Sequence, residues 1–179
     1  MPVDGAPLTW LVATAVVVAL SVPSRRSLLA GAPLVLAGEA LRLWTSGHLV
    51  KSARLVTSGP YRHTRNPMYL GRLLIGTGLL IAGWLPHGAT FVVLPLFWAG
   101  FFGLYMRRKE RVEPARLLAL HGEAYRDYRR AVPALFPRLT PWSGARASPW
   151  RASRVRQNRE LLTAFGVLAL LLLLAVRAA

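Results

Sequence analysis

The chain alternates between long apolar runs and shorter polar segments. Five apolar runs cover roughly residues 7–22, 28–44, 69–85, 89–106 and 161–176. A helix needs about 17–25 such residues to cross a bilayer, and backbone groups in hydrocarbon must bond within their own segment. Polar residues do not recur in these runs at the spacing of a water-facing helix. The pattern therefore predicts an all-α, polytopic integral membrane protein with about five transmembrane helices.

The first run is expected to stay in the protein as a membrane helix. Residues 1–4 carry no positive charge, and no clean small-residue cleavage site follows Val22, as a secretory signal would require. The third and fourth runs are separated only by residues 84–88, which predicts a tight helical hairpin. Residues 113–130 read as an amphipathic helix or pair of helices at the membrane surface, interrupted at His121-Gly122.

Charge adds an orientation to this topology. The chain carries a formal charge of +16, and 14 of its 23 Lys and Arg residues lie between Arg107 and Arg159. Basic residues that collect in loops between membrane helices face the cytoplasm and attract anionic lipids. Topology and lipid attraction are therefore favoured over nucleic-acid binding, and the predicted location is the bacterial inner membrane with these loops in the cytoplasm.

The predicted domain organisation has three parts. Residues 1–138 form a membrane domain, 139–160 a basic tether rich in Pro, Ser and Arg, and 161–179 a final membrane helix. Within the second run, Glu39 and Arg42 are three residues apart and can pair on one helix face. An ionisable residue at membrane depth is a functional candidate, and the alternative is an end-of-helix pair that extends to the membrane interface. Glycines of the third run favour close helix packing, or a groove that admits a ligand.

Two polar clusters carry the candidate chemistry, each next to an apolar run at the same end of the predicted hairpin. Arg62 and Arg65 are permanent cations suited to a carboxylate or phosphate. Glu110 and Glu113 can bind an amine or hydroxyl groups, and tyrosines add further hydroxyls and aromatic faces. The chain has no cysteine, and its four histidines are scattered, so no metal site is expected. These residues are better suited to binding and orienting a charged cofactor than to catalysing hydrolysis. A methyl donor fits because it is already activated and needs mainly to be aligned with its acceptor.

The order and spacing of these residues resemble the isoprenylcysteine carboxyl methyltransferase family and its wider kin, which include phospholipid methyltransferases. The resemblance covers about residues 44–138. It rests on the following ordered set: Gly59-Pro60-Tyr61, Arg65-Asn66-Pro67, Tyr69, Gly71, Gly78, Glu113, Gly122-Glu123, Tyr125, Tyr128 and Val132-Pro133. Each piece alone is weakly diagnostic, and Pro67 or Tyr69 taken singly could be a helix start or an interfacial anchor.

The resemblance implies an enzyme that binds S-adenosylmethionine at the cytoplasmic membrane surface and methylates a lipid-like acceptor from the bilayer. It implies catalytic roles for Glu113 and Arg65. It also implies a cofactor pocket formed or shaped by Tyr61, Arg65, Asn66, Pro67, Tyr69, Gly71, Gly78, Glu113 and Tyr125. No metal and no nucleic acid are expected to take part.

Three residues depart from the family pattern. Asn66 stands where the motif has histidine, and it cannot act as a charged acid or general base. Pro114 replaces the second member of an acidic pair, and Ala131 replaces an arginine before the Val-Pro step. Cofactor binding is less affected by these changes than the identity of the acceptor, which stays open between carboxylate, amine and thiol. The alternative function is a non-catalytic membrane protein that binds anionic lipid or a partner through its basic loops.

Overall fold

The computed structural model describes residues 16–50 and 55–179, and within these ranges the fold is all-α, as predicted. Residues 16–20 are helical. The named helices are α1 (Arg25–His48), α2 (Pro67–Gly83), α3 (Thr90–Gly100), α4 (Arg107–Ala131), α5 (Ala152–Gln157) and α6 (Glu160–Arg177). Helices α3 and α4 are joined by a π-helical turn, Phe101–Met106, into one rod of 42 residues.

Three of these helices are long and apolar enough to cross a membrane: α1, the rod Thr90–Ala131 and α6. Helix α2 is apolar and shorter, with 17 residues. Most of the first predicted run lies outside the described residues. The integral membrane character is thus supported by several apolar helices, while the number of five spans stays a prediction.

Local sequence signals set the helix ends. Ser24 and Ser27 form reciprocal backbone caps at the start of α1, which satisfy amides that a helix start leaves open. Pro67 occupies the first turn of α2, where its missing N–H is no loss. The rod bends within α4 because Gly122 adopts φ 52° and ψ −130°, a conformation that a Cβ would disfavour. The predicted interruption at this position is confirmed.

Glycines join α1 and α2 into a closely packed antiparallel pair. A Cβ built on Gly31 would lie 2.3 Å from the carbonyl oxygen of Gly78, and one on Gly38 would lie 2.7 Å from that of Gly71. The two glycines of each helix are seven residues apart, so both contacts fall on one face. The backbones approach so closely because no side chain separates them, as in other membrane helix pairs.

The segment before α6 docks on the carboxyl end of α1. The Arg151 amide donates to the Gly47 carbonyl at 3.0 Å, and the Asn158 side chain donates to the Ser46 carbonyl at 3.1 Å. Carbonyls at a helix end lack partners within the helix, so these donors satisfy the last carbonyls of α1. At the other end of α6, Arg177 donates to the carbonyl of Ser21 at 2.8 Å.

The predicted pairing of Glu39 with Arg42 is wrong. The Arg42 guanidinium instead contacts Glu160 at the start of α6, with distances of 2.6 Å from Nε and 2.5 Å from Nη2 to Oε1. Both side chains are buried. A buried guanidinium needs a well-placed carboxylate. Glu160 provides one from a distant segment, whereas Glu39 lies on the same helix as Arg42 and can approach its guanidinium only from the side.

The close contact of α1 and α2 predicts that Gly31→Ala destabilises the fold. The added methyl would meet the backbone of α2, and overpacking of this kind costs about 1–3 kcal/mol. The measurement is thermal unfolding of the detergent-solubilised protein, followed by circular dichroism. The matched control is Gly166→Ala in α6, where a Cβ meets nothing within 4 Å. Equal midpoints for the two variants would contradict this packing.

Candidate active site

The two polar clusters of the sequence meet through paired loops. The Arg65 amide donates to the Pro133 carbonyl at 2.9 Å, and the Arg138 amide donates to the His63 carbonyl at 3.0 Å. The Thr64 hydroxyl donates to the Ala134 carbonyl at 3.2 Å. These bonds fix the segment before α2 against the segment after α4, although some 70 residues separate them in the chain. The polar ends of both helices therefore face one space.

Glu110 is at the centre of this arrangement. Its Oε2 accepts a hydrogen bond from Arg65 Nη2 at 3.1 Å, and its Oε1 accepts one from Asn66 Nδ2 at the same distance. Asn66 Nδ2 also donates to the Ala134 carbonyl at 2.8 Å. Asn66 is buried, and its two neighbours are both acceptors. An amide suits this position because its NH2 group provides two donors without a charge.

Seven of the nine predicted cofactor residues line one cavity of about 490 Å³. They are Tyr61, Arg65, Asn66, Pro67, Tyr69, Glu113 and Tyr125. The remaining two, Gly71 and Gly78, lie in the contact between α1 and α2. Their position influences the cavity through helix packing, because Gly71 makes room for the Arg42 side chain. A direct role of any of the nine in cofactor binding stays a prediction.

Cations surround the aromatic ring of Tyr69. The Lys109 ammonium lies 4.1 Å from the ring centroid, within the range in which a ring face attracts a cation. The Arg72 guanidinium is 5.3 Å away, and the Tyr105 ring 4.9 Å between centroids. Lys109 also forms an ion pair with Glu113, one turn further along α4. Glu113 is thus held beside the cavity and is partly exposed.

Tyr61 and Tyr128 of the cavity are neutral hydrogen-bonding groups. Burial, with added repulsion from Glu113 and Tyr69, raises the pKa of Tyr61 far above its usual range. A phenol that resists ionisation is a donor rather than a base. The Tyr128 hydroxyl donates to the Tyr61 carbonyl at 2.8 Å, which holds the backbone of the loop before α2 against α4.

Three further residues belong to the site although the motif comparison does not assign them a role. Glu110, which the sequence already offers as a group that can bind an amine or hydroxyl groups, lies one turn before Glu113 on α4 and lines the cavity. Arg42 and Glu160 also line the cavity. No sequence signal indicates that Glu160 belongs there, because it begins an apolar run outside every motif.

The described residues thus define a helical, membrane-type protein with a polar cavity where two amphipathic segments meet. Comparison with known proteins confirms the resemblance to membrane methyltransferases. Residues 28–108 match the family described as phospholipid methyltransferase. This range contains Arg65–Gly71 and ends just before Glu110. No solved structure matches the chain.

Three curated relatives show the range of this similarity. The chain is 32% identical over 120 residues to a cobalt-zinc-cadmium resistance protein, CzcN, of Cupriavidus metallidurans, which covers 65% of this chain and 52% of that protein. It is 34% identical over 77 residues to a methanethiol S-methyltransferase of Crocosphaera subtropica, which covers 43% of this chain and 27% of that protein. It is 34% identical over 122 residues to a protein-S-isoprenylcysteine O-methyltransferase of Rattus norvegicus, which covers 60% of this chain and 40% of that protein. The chain spans about half the length or less of these relatives.

The geometry at Glu110 predicts that Asn66→Asp destabilises the protein. The substitution replaces two donors by acceptors and places a second carboxylate against Glu110. Unsatisfied buried groups and like charges together cost about 3 kcal/mol. The measurement is again thermal unfolding in detergent. Gln157→Glu makes the same amide-to-acid change on the exposed surface and is expected to have little effect. An Asn66→Asp variant as stable as this control would contradict the hydrogen bonds described.

Proposed function

We propose that this protein transfers a methyl group from S-adenosylmethionine to a hydrophobic or membrane-embedded acceptor. The observation that carries the proposal is the joining of two distant motif segments around Glu110 in a single cavity. The similarity to membrane methyltransferases supports the reaction type. The basic loops support a position of the cavity at the cytoplasmic face of the bacterial inner membrane, among anionic lipids.

The residues present fit S-adenosylmethionine in size and charge. A cavity of about 490 Å³ lies within the range of small-molecule sites. Arg65 Nε is buried and has no hydrogen-bond partner among the described residues, so it is a donor suited to a carboxylate. Glu113 can bind an amine or hydroxyl group. Such a set of one cation and one anion matches a zwitterionic ligand.

Each residue then has a role in binding or orientation. When bound, S-adenosylmethionine supplies a methyl group already activated by its sulfonium. Arg65 and Asn66 bind polar groups of the ligand, and Tyr69 shapes the wall beside them. Tyr61 donates hydrogen bonds because its raised pKa keeps it protonated. The protein mainly aligns donor and acceptor, and alignment can lower a barrier by about 7–11 kcal/mol.

The acceptor is proposed only as a class. Relatives are named for methanethiol and for isoprenylcysteine, so the shared region is compatible with different acceptors. The name of CzcN concerns resistance to metals. Within the described residues no group of three His, Cys, Asp or Glu side chains is placed to hold a metal ion, and we propose no metal site.

The proposal predicts saturable binding of radiolabelled S-adenosylmethionine by the purified protein, and transfer of label on addition of host lipid extract. Glu110→Gln is expected to weaken cofactor binding by about tenfold, because it loses the charge that holds Arg65. The matched control is Glu123→Gln, whose carboxylate is exposed on the same helix. Absence of saturable binding by the wild-type chain would sink the proposal.

The alternative function, a non-catalytic protein that binds anionic lipid, makes a different prediction. In that case the positive charge of a side chain would decide binding, and its shape would not matter. Arg65→Lys retains the charge but loses the planar group that contacts Glu110. We expect this variant to lose cofactor affinity by about tenfold while its binding to anionic vesicles stays unchanged. Arg129→Lys, on the exposed face of α4, serves as control. Unchanged cofactor affinity in Arg65→Lys would favour the alternative.

A further inference from the structure

A second polar wall of the cavity comes from α1 and α6. Arg42 and Glu160 both line the cavity, and their side chains are 5% and 3% exposed. Glu160 lies beyond residues 28–108, the range matched by the family. The first and last named helices, α1 and α6, therefore each add a charged group to a site whose other charged residues come from the segments around α2 and α4.

This wall has more hydrogen-bond acceptors than donors. Both close contacts of the Arg42 guanidinium end on Glu160 Oε1, and Oε2 makes no hydrogen bond to the described residues. Glu39 lies one turn before Arg42 on α1, outside the lining of the cavity, and both its carboxylate oxygens are buried without a hydrogen-bond partner in the described ranges. One guanidinium thus stands near two carboxylates. Buried polar groups without partners are costly, so the missing component is a donor.

We propose that this wall receives the methyl acceptor, and that Glu160 is a specificity-determining residue. Its Oε2 accepts a hydrogen bond from the N–H or S–H group on the head of a neutral acceptor. When the lone pair of that N or S atom takes the methyl group, the sulfonium sulfur of the donor would keep the electron pair of the broken bond, and the proton of the acceptor would pass to Glu160. Glu39 offers Arg42 a second carboxylate when the acceptor engages Glu160, so the guanidinium stays paired. The inference rests on the proposed function and deepens it, since it names the side of the cavity that the acceptor occupies.

Glu160 disfavours one acceptor class at this wall. An ionised carboxylate would approach Glu160, which lines the cavity and whose guanidinium partner is already engaged, and like charges repel at short range. A head group that carries a donor meets free acceptors instead. At this wall we therefore expect an amine or a thiol with an apolar chain rather than a free carboxylic acid.

The experiment compares three probes with one alkyl chain: dodecylamine, dodecanethiol and dodecanoate. The full-length, detergent-purified protein is incubated with radiolabelled S-adenosylmethionine and each probe. We expect label on the amine or the thiol and none on dodecanoate. Glu160→Gln should raise the KM for the methylated probe by about tenfold and change the dissociation constant of S-adenosylmethionine by less than about twofold.

Each other outcome overturns the inference. Methylation of dodecanoate, an unchanged KM in Glu160→Gln, or an equal loss of cofactor affinity would each remove Glu160 from the acceptor side. A wild-type protein that binds S-adenosylmethionine but labels none of the probes also counts against it. Failure of the wild-type protein to bind S-adenosylmethionine would instead overturn the proposed function itself, so the two failures are distinguishable.

Removal of one partner from a buried ion pair can unfold a protein, so a second set of variants controls for stability. Arg42→Glu with Glu160→Arg reverses the pair, and Glu39→Gln in the same background removes the repulsion that the new Glu would meet. If the pair only holds α6 in place, this reversed variant regains the wild-type KM. If Glu160 binds the acceptor, thermal stability and cofactor affinity return while the KM for the amine or thiol stays high.

Discussion

The backbone contact between α1 and α2 is the constraint on which the rest of the structure depends. Gly31 meets Gly78 and Gly38 meets Gly71 on one face, which fixes the depth of one helix against the other. In lipid, such contacts provide dispersion attraction that the hydrophobic effect does not. The same contact decides where Arg42 lies, because its side chain passes over Gly71. A side chain at Gly71 would push Arg42 out of the cavity wall. A motif glycine thereby contributes to the site without lining it.

Glu110 fixes the loops against each other, as the glycine contacts fix the two helices. It is held by Arg65 and Asn66 from the segment before α2, and Asn66 in turn reaches the Ala134 carbonyl. One carboxylate therefore joins α4, the start of α2 and the loop after α4. The substitution of the motif histidine by Asn66 is compatible with this network, since what the position requires is two donors directed at two acceptors. A neutral imidazole has one N–H and would satisfy one of them.

The sequence was sufficient to predict the long apolar helices and several of the residues that line the cavity. Apolar runs of membrane length predict α1, α3 and α6, and Gly122 marks the bend because few other residues adopt its backbone conformation. The meeting of the two polar clusters follows from the short hairpin between α2 and α3. The pair of Arg42 and Glu160 could not be predicted in this way. An apolar helix has no polar face to indicate its rotation, and the 118 residues between the partners carry no signal of their contact. The i, i+3 spacing of Glu39 and Arg42 favoured the local pairing, which the buried position of Glu160 overrides.

The polar atoms left without partners show where this packing is incomplete. Among the described residues, Arg65 Nε and both carboxylate oxygens of Glu39 are buried and form no hydrogen bond. Native proteins rarely retain such groups unless function requires them. Arg65 Nε is a hydrogen-bond donor on a residue held by the loops, and the two Glu39 oxygens are acceptors beside Arg42. Because one site lacks an acceptor and the other lacks a donor, two different partners are missing: an anionic group near Arg65 and a donor near Arg42. A single small ion could satisfy only one of them. Arg65 and Arg42 both line one cavity, whereas Glu39 does not, so a ligand there can reach Arg65 directly and can influence the Glu39 carboxylate only through the pair of Arg42 and Glu160.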